Sequence, residues 1–185
     1  MAVYVAFLRG INVGSKHRVN MAELTVRCEA LGLSRVQTYI QSGNVVFEAE
    51  QGEAELRSLL ETGLEAHFGF PIPVVLRTAA ELDAILKGCP FSEAAVRAAE
   101  AASGVESLYL FLLQEAPAPE GVTSLQPFRN PTDGCSIRGR EVYLLFHNSI
   151  RNSKLAANLH RLGGSGTIRN WKTMSKLDAL GGART

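Results

Sequence analysis

The sequence predicts an α+β protein made of two similar halves, and three observations support this. Short apolar runs such as residues 3–8 and 108–113 alternate with segments whose leucines recur at helical spacing. The order strand, helix, strand, strand, helix, strand occurs twice along the 185 residues. Hydrophobic residues form 46% and charged residues 20% of the chain, which is typical of a globular protein with a buried core.

The first half has clear boundary signals for its elements. Asn20 and Glu23 form a capping pattern in front of a helix that ends at Gly32. The predicted elements are, in order, a strand at 3–8, a helix over 21–31, strands at 36–40 and 45–47, a helix over 53–68 and a strand at 74–76. This order is the split βαβ arrangement called ferredoxin-like, in which two helices cover a single face of one antiparallel sheet.

Two further helices connect this half to the next. Thr78 with Glu81 caps the first of them, and Ser92 caps the second, which is rich in alanine. The second half then contains a strand at 108–113, a helical turn within 117–125, strands at 135–137 and 142–146, a helix from about 153, a strand at 167–171 and a short final helix. We therefore predict a ferredoxin-like (αβ plait) domain at 1–78, a helical connector at 79–104 and a second ferredoxin-like domain at 105–185.

Five motifs give the chain a resemblance to a known family. They are LRGINVG at 8–14, TYIQSGNVVF at 38–47, VVLRTAAELDAIL at 74–86, EVYLLFHNSIRNSKL at 141–155 and TIRNWKTMSKL at 167–177. In this order, over about residues 4–177, the chain closely resembles the bacterial family catalogued as domain of unknown function 1697. The resemblance implies two αβ plait domains and brings no established activity. Members usually have Lys or Arg and then Asn after the INVG motif, whereas Gly14 is followed here by Ser15, Lys16 and His17.

Charge is distributed unevenly along the chain. Up to Phe128 there are nine Lys and Arg against 15 Asp and Glu, a net charge of −6. From Arg129 onward ten Lys and Arg against three Asp and Glu give +7. The last third could therefore face an anionic partner, or it could simply be a solvated basic surface.

Composition and spacing exclude several classes of protein. Without a membrane-length apolar stretch or a secretory leader pattern, we expect a cytoplasmic protein that does not bind membranes. Cys28, Cys89 and Cys135 are far apart in sequence, which disfavours a disulfide framework and a thiolate zinc site. The four histidines lack metal-binding spacing, so we predict no metal and no cofactor.

The first predicted ligand site follows from topology. In a β-α-β-β-α-β sheet, the end of the first strand and the hairpin between the second and third strands lie at the same edge. The cations, amides and hydroxyl brought together there are Arg9, Asn12, Lys16, Gln41, Ser42 and Asn44. They suit an anionic ligand, or alternatively the amides satisfy the loop backbone. Gly10, Gly14 and Lys16 do not have the spacing of a phosphate-binding P-loop.

A second predicted anion patch lies in the second half. The loop after its third strand should reach the same end as the exit of its fourth strand. The patch comprises Arg151, Asn152, Ser153, Lys154, Arg169, Asn170, Trp171 and Lys172. Trp171 is the only tryptophan and serves either as a core residue or as a stacking platform, while Ser153 serves most simply as a helix N-cap.

Three functions remain open at this point. The first is a protein that binds an anionic ligand, either a nucleotide, a phosphorylated metabolite or a nucleic acid. The second is a small-molecule enzyme with its site at the Arg9–Lys16 loop and the Gln41–Asn44 hairpin, which would stabilise a developing anion by hydrogen bonds. The third is an adaptor that associates through exposed sheet edges, in an oligomeric state that the sequence does not fix.

Overall fold

The computed structural model describes all 185 residues as an α+β protein with two four-stranded antiparallel sheets and seven α-helices. The strands are β1 (Ala2–Leu8), β2 (Ser34–Tyr39), β3 (Asn44–Ala49), β4 (Val74–Thr78), β5 (Leu108–Leu113), β6 (Gly134–Arg138), β7 (Glu141–Leu145) and β8 (Gly166–Asn170). The helices are α1 (Met21–Ala30), α2 (Glu53–Phe68), α3 (Ala79–Lys87), α4 (Glu93–Ser103), α5 (Pro119–Leu125), α6 (Lys154–Ala157) and α7 (Trp171–Gly182). The strand orders are β2-β3-β1-β4 and β6-β7-β5-β8.

The chain divides into two compact units, and only the second is continuous in sequence. Unit 1 comprises Met1–Ala84 together with Ser175–Thr185, and unit 2 comprises Ile85–Met174. The boundaries therefore fall inside α3 and α7, and they differ from the predicted ranges 1–78, 79–104 and 105–185. The last eleven residues belong to the first unit because α7 carries them there, where Arg184 Nη2 donates to Gln37 Oε1 of β2 at 2.9 Å.

The core of unit 1 lies between its sheet and helices α1 and α2. Alternate residues of β1, such as Tyr4 and Leu8, pack with Leu24 and Cys28 of α1 and with Leu56 of α2. The predicted cap of α1 is confirmed, since Asn20 Oδ1 accepts a hydrogen bond from Glu23 N at 3.1 Å. These contacts fix the end of β1, from which the first predicted site extends.

Burial of the Cys28 thiol makes unit 1 sensitive to alkaline pH. Burial raises the pKa of Cys28 to about 12, from its ordinary value of 9.0. Between these values the unfolded chain loses the thiol proton while the folded chain keeps it, so stability falls as pH rises from 9 toward 12, by up to ~1.4 kcal/mol per pH unit. We expect urea unfolding to show a steeper loss between pH 8.5 and 10 in the native protein than in Cys28→Ala. Equal slopes would contradict this assignment.

Each unit has a buried arginine in the last strand of its sheet. Arg77 is the penultimate residue of β4 and Arg169 the penultimate residue of β8, and they are 1% and 7% exposed. Each Nη1 donates to the preceding carbonyl, at 2.7 Å to Leu76 O and 2.8 Å to Ile168 O. A helix follows each strand at once, so the two halves are alike in this detail as well as in element order.

The lengths and hydropathies of the helices can be set against the thickness of a bilayer. None of them combines the length and the apolar character that a membrane crossing requires.

Candidate functional site

The structure brings the loop after β1 together with the hairpin between β2 and β3. Leu8 N donates to Gly43 O at 2.8 Å, and Asn12 Nδ2 donates to Gln41 O at 2.9 Å. The first predicted site is therefore a single edge of the sheet in unit 1. It follows from antiparallel pairing of β1 with β3, in which Phe7 lies opposite Asn44.

Asn12 acts as a clamp within this edge. Its Nδ2 donates to Val19 O as well as to Gln41 O, and its Oδ1 accepts from Val19 N, all at 2.9 Å. Its backbone has a φ of 54°, a left-handed conformation that asparagine tolerates better than most residues. The Asn12 amide thus holds the loop closed against the hairpin rather than presenting itself to a ligand.

Asn44 serves the hairpin in the same way. It is fully buried, and its Nδ2 donates to Tyr39 O at 2.9 Å and to Ser42 Oγ at 3.0 Å. Gly43 next to it has a φ of 87°, and a Cβ there would lie 2.6 Å from Ile11 Cδ1. Tight packing at Gly43 and the hydrogen bonds of Asn44 therefore explain the sequence Ser-Gly-Asn at residues 42–44.

The cations of this edge remain exposed. Arg9 and Lys16 lie on the surface together with Gln41, and Arg18 is exposed nearby. His17 stacks on Phe70 with ring centroids 4.3 Å apart and an interplanar angle of 13°. A ligand at this edge would meet positive charge, whereas the amides of Asn12 and Asn44 are already used by the fold.

The second predicted patch is divided by the structure. Arg169 does not join an exposed patch, because it is buried and its Nη1 donates to Thr167 Oγ1 at 2.7 Å. Desolvation lowers the pKa of Arg169 to about 10. Asn170 Oδ1 accepts from Thr173 N at 2.9 Å in the first turn of α7, and its Nδ2 donates to Glu106 Oε2.

The remaining residues of the patch lie in different surroundings. Trp171 is half-buried against a small apolar cluster that contains Ala99, Leu108 and Leu145. Arg151 and Lys172 are exposed. Three members of the patch, Asn152, Ser153 and Lys154, line a common cavity.

That cavity, which we call the loop cleft, has a volume of about 450 Å³ and lies in unit 2. One wall is formed by residues 148–154 after β7, and the other by residues 127–133 before β6. Ser153 is the predicted N-cap, since its Oγ accepts from Ala156 N at 3.1 Å. Lys154 follows it as the first residue of α6 and is exposed at the cleft.

Hydrogen bonds fix the 127–133 wall. Asn130 Oδ1 accepts from Thr132 N at 3.0 Å and from Asp133 N at 2.9 Å. Asp133 then joins the two walls, because its Oδ1 accepts from His147 N and its Oδ2 accepts from Asn130 Nδ2, both at 3.1 Å. Arg129 Nη2 donates to Cys135 O at 2.6 Å. The cleft is therefore shaped by contacts that do not depend on a ligand.

Sequence reasoning missed Arg129, Asn130 and Asp133 as site residues. These residues fall between the predicted helical turn within 117–125 and the predicted strand at 135–137. The pairing of β6 with β7, with Gly134 opposite Leu145, places the chain before β6 beside the chain after β7. The pairing of these two strands as a hairpin was the signal that could have predicted the 127–133 wall.

A known family and a solved structure are similar to this chain. A sequence profile described as "Protein of unknown function (DUF1697)" matches residues 1–143. The chain belongs to this family. Among solved structures, this DUF1697 protein is similar to the conserved bacterial protein SP0830 from Streptococcus pneumoniae, with 26% identity and a TM-score of 0.75 over 97% of this chain and 98% of that one. No functionally curated protein matches it.

The profile match covers the whole of the first predicted site but only one wall of the loop cleft. It includes the loop after β1, the following hairpin and the 127–133 wall of the loop cleft. It ends inside β7, before the 148–154 wall that carries Lys154. The family description carries no activity and assigns no function to either site.

Proposed function

We propose that this DUF1697 protein binds a small phosphate-bearing anion in the loop cleft. The observation that carries this proposal is that Arg129 and Lys154, from two different segments of the chain, line one cavity of about 450 Å³. Cavities of roughly 300–1,000 Å³ are typical of small-molecule sites. Two cations that line one cleft favour an anion over a neutral ligand.

Other lining groups support a phosphorylated metabolite or a mononucleotide as the ligand class. The amides of Asn130, Asn148 and Asn152 line the cleft together with Ser149 and Ser153, and amides and hydroxyls hydrogen-bond phosphate oxygens well. Phe128 offers an aromatic surface to an apolar part of the ligand. The guanidinium of Arg161 lies 4.8 Å from the centroid of the Phe128 ring and adds a third positive charge beside it.

The carboxylate of Asp133 opposes an anion less than an unbound carboxylate would. Both of its oxygens accept hydrogen bonds, from His147 N and Asn130 Nδ2. Such donors stabilise the negative charge locally and hold the carboxylate in place. With Arg129 and Lys154 against Asp133, the lining carries one more positive than negative charge, in keeping with the +7 of the last third of the chain.

Substitution of Lys154 tests this function. We expect Lys154→Gln to weaken the affinity for AMP, ATP or pyrophosphate about tenfold in low-salt isothermal titration calorimetry, because a charge-assisted hydrogen bond contributes about 1.5 kcal/mol. Lys172→Gln is the matched control, since Lys172 is exposed and outside the cleft. Equal losses in both variants would show nonspecific attraction, and absence of binding for all three probes would contradict the proposal.

The exposed cations of unit 1 offer a less supported alternative. Binding that is lost in Arg9→Gln and retained in Lys154→Gln would place the anion at the edge formed by the loop after β1. An enzyme at that edge draws less support, because Asn12 and Asn44 donate to protein groups and are not available to stabilise a developing anion.

We also propose that each sheet with its helices is a ferredoxin-like domain. Each has the element order β-α-β-β-α-β and places its first strand between its third and fourth strands. This is the arrangement expected of the split βαβ unit. In unit 2 the two helices are reduced to the short α5 and α6, with 3-10 turns at 126–128, 150–152 and 159–162.

A further inference from the structure

We propose that a second cavity in unit 2, lined by Trp171 and called here the tryptophan cleft, binds planar aromatic anions. It has a volume of about 460 Å³ and is separate in its lining residues from the loop cleft. Its apolar lining includes Leu86, Phe91, Val96, Leu108 and Trp171. Glu93 and Arg97 of α4 supply its charged lining.

One wall of the cleft is firmly held by hydrogen bonds. This wall runs from the end of α3 to the start of α4. Tyr143 Oη donates to Ile85 O at 2.6 Å, and Arg138 Nη1 donates to Gly88 O at 2.7 Å. Two strands of the sheet thus anchor the segment that carries Leu86, so the cavity exists before a ligand arrives.

Phe91 is fixed by a close approach to the sheet. A Cβ on Gly134 of β6 would lie 2.5 Å from Phe91 Cε1, so the ring occupies the space that any larger residue would need. Phe91 also packs with Val96 and Trp171 around the cluster of Ala99, Leu108 and Leu145. Two aromatic side chains, Phe91 and Trp171, therefore line the same preformed cavity.

Trp171 can act both as a core residue and as a stacking platform. It packs against the apolar cluster, yet it stays half-buried and lines the cleft. An indole in such a position offers a large rigid surface to a planar ring, since aromatic pairs stack or meet edge to face. A planar aromatic body is accordingly the ligand shape that the lining favours.

The charge of the ligand follows from α4. Arg97 Nη1 lies 3.9 Å from Glu93 Oε2, and the side chains of Arg97 and Glu93 are 73% and 92% exposed. An exposed pair one helical turn apart interacts weakly, so the Arg97 guanidinium can exchange Glu93 for an anionic group of a ligand. Its planar fork matches a carboxylate or sulfonate at the edge of the cavity.

The experiment compares two probes that share the anilinonaphthalene skeleton and differ in charge. These are 1-anilinonaphthalene-8-sulfonate, which is anionic, and N-phenyl-1-naphthylamine, which lacks the sulfonate. Titrations followed by probe fluorescence are made on the native protein, Arg97→Gln and Glu93→Gln. We expect Arg97→Gln to weaken binding of the anionic probe about fourfold and Glu93→Gln to strengthen it about twofold, with little change for the neutral probe.

Two further measurements locate the probes. Saturating probe should reduce acrylamide quenching of Trp171, which is the only tryptophan. Val96→Phe, which adds volume to the cavity lining, should reduce binding of both probes at least fivefold while the far-ultraviolet circular dichroism stays unchanged. The proposal is overturned if neither probe binds, if the native protein and the two charge variants bind the anionic probe equally, or if Val96→Phe binds both probes as the native protein does.

Discussion

Substitution of Asn12 by alanine should lower the free energy of unfolding by about 3 kcal/mol, although Asn12 lies in a surface loop. The side chain makes three hydrogen bonds to the backbone, with Val19 N, Val19 O and Gln41 O. Partly exposed hydrogen bonds contribute about 0.7 kcal/mol each, so the three together contribute about 2 kcal/mol, and alanine adds about 1 kcal/mol of strain at a φ of 54°. The loop after β1 would then lose its side-chain hydrogen bond to the β2–β3 hairpin.

Two other substitutions at Asn12 separate these causes in urea unfolding curves. Asn12→Gly removes the same hydrogen bonds but tolerates the left-handed backbone, so we expect it to be about 1 kcal/mol more stable than Asn12→Ala. Asn12→Asp keeps the acceptor for Val19 N and loses both donated bonds. A loss below about 1 kcal/mol in Asn12→Ala would mean that the clamp does not hold the loop.

Truncation of Arg77 to alanine should be the most destabilising single change in the protein, at about 4 kcal/mol. Arg77 is the largest of the fully buried side chains, and its Nη1 donates to Leu76 O at 2.7 Å. Removal of a large buried side chain leaves a cavity, and removal of a buried charge leaves its hydrogen-bonding partners unsatisfied. Val5 lies opposite Arg77 in the sheet and is itself fully buried, so no water can enter easily to compensate.

A methionine at the same position distinguishes the lost volume from the lost charge. Arg77→Met fills much of the space, and we expect it to cost less than half as much as Arg77→Ala. Arg18→Ala is the control, because Arg18 is exposed and should change stability by less than about 0.5 kcal/mol. A melting temperature for Arg77→Ala within about 2 °C of the native protein would refute the argument.

Local signals predicted the elements of the fold. Asn20, Thr78, Ser92 and Ser153 were predicted to cap helices, and all four side chains accept the expected hydrogen bond from a backbone N–H three residues on. Such caps depend only on neighbouring residues, so the sequence contains all that is needed. The extent of the two units could not be predicted in this way, since the position of residues 175–185 depends on long-range packing of α7.

The candidate sites also combine features that the sequence could predict with features that only the folded structure shows. Topology alone predicted that the loop after β1 meets the hairpin at Gln41, because strand order determines which loops share an edge. Charge counting could not reveal that Arg169 is buried, since an arginine is ordinarily exposed. The sequence left open whether the amides of Asn12 and Asn44 face a ligand or satisfy the loop backbone, and the structure shows that both donate to backbone carbonyls.

The discontinuity of unit 1 has a consequence for biosynthesis. The ribosome supplies residues 1–84 first, but the remaining segment of the same unit, 175–185, follows the whole of unit 2 in the chain. Unit 2 is contiguous in sequence, so all of its residues are synthesised before residues 175–185. The unit that starts first in translation is therefore the one that can be completed only after the other has been made, and the contact of Arg184 with Gln37 joins residues separated by 147 positions.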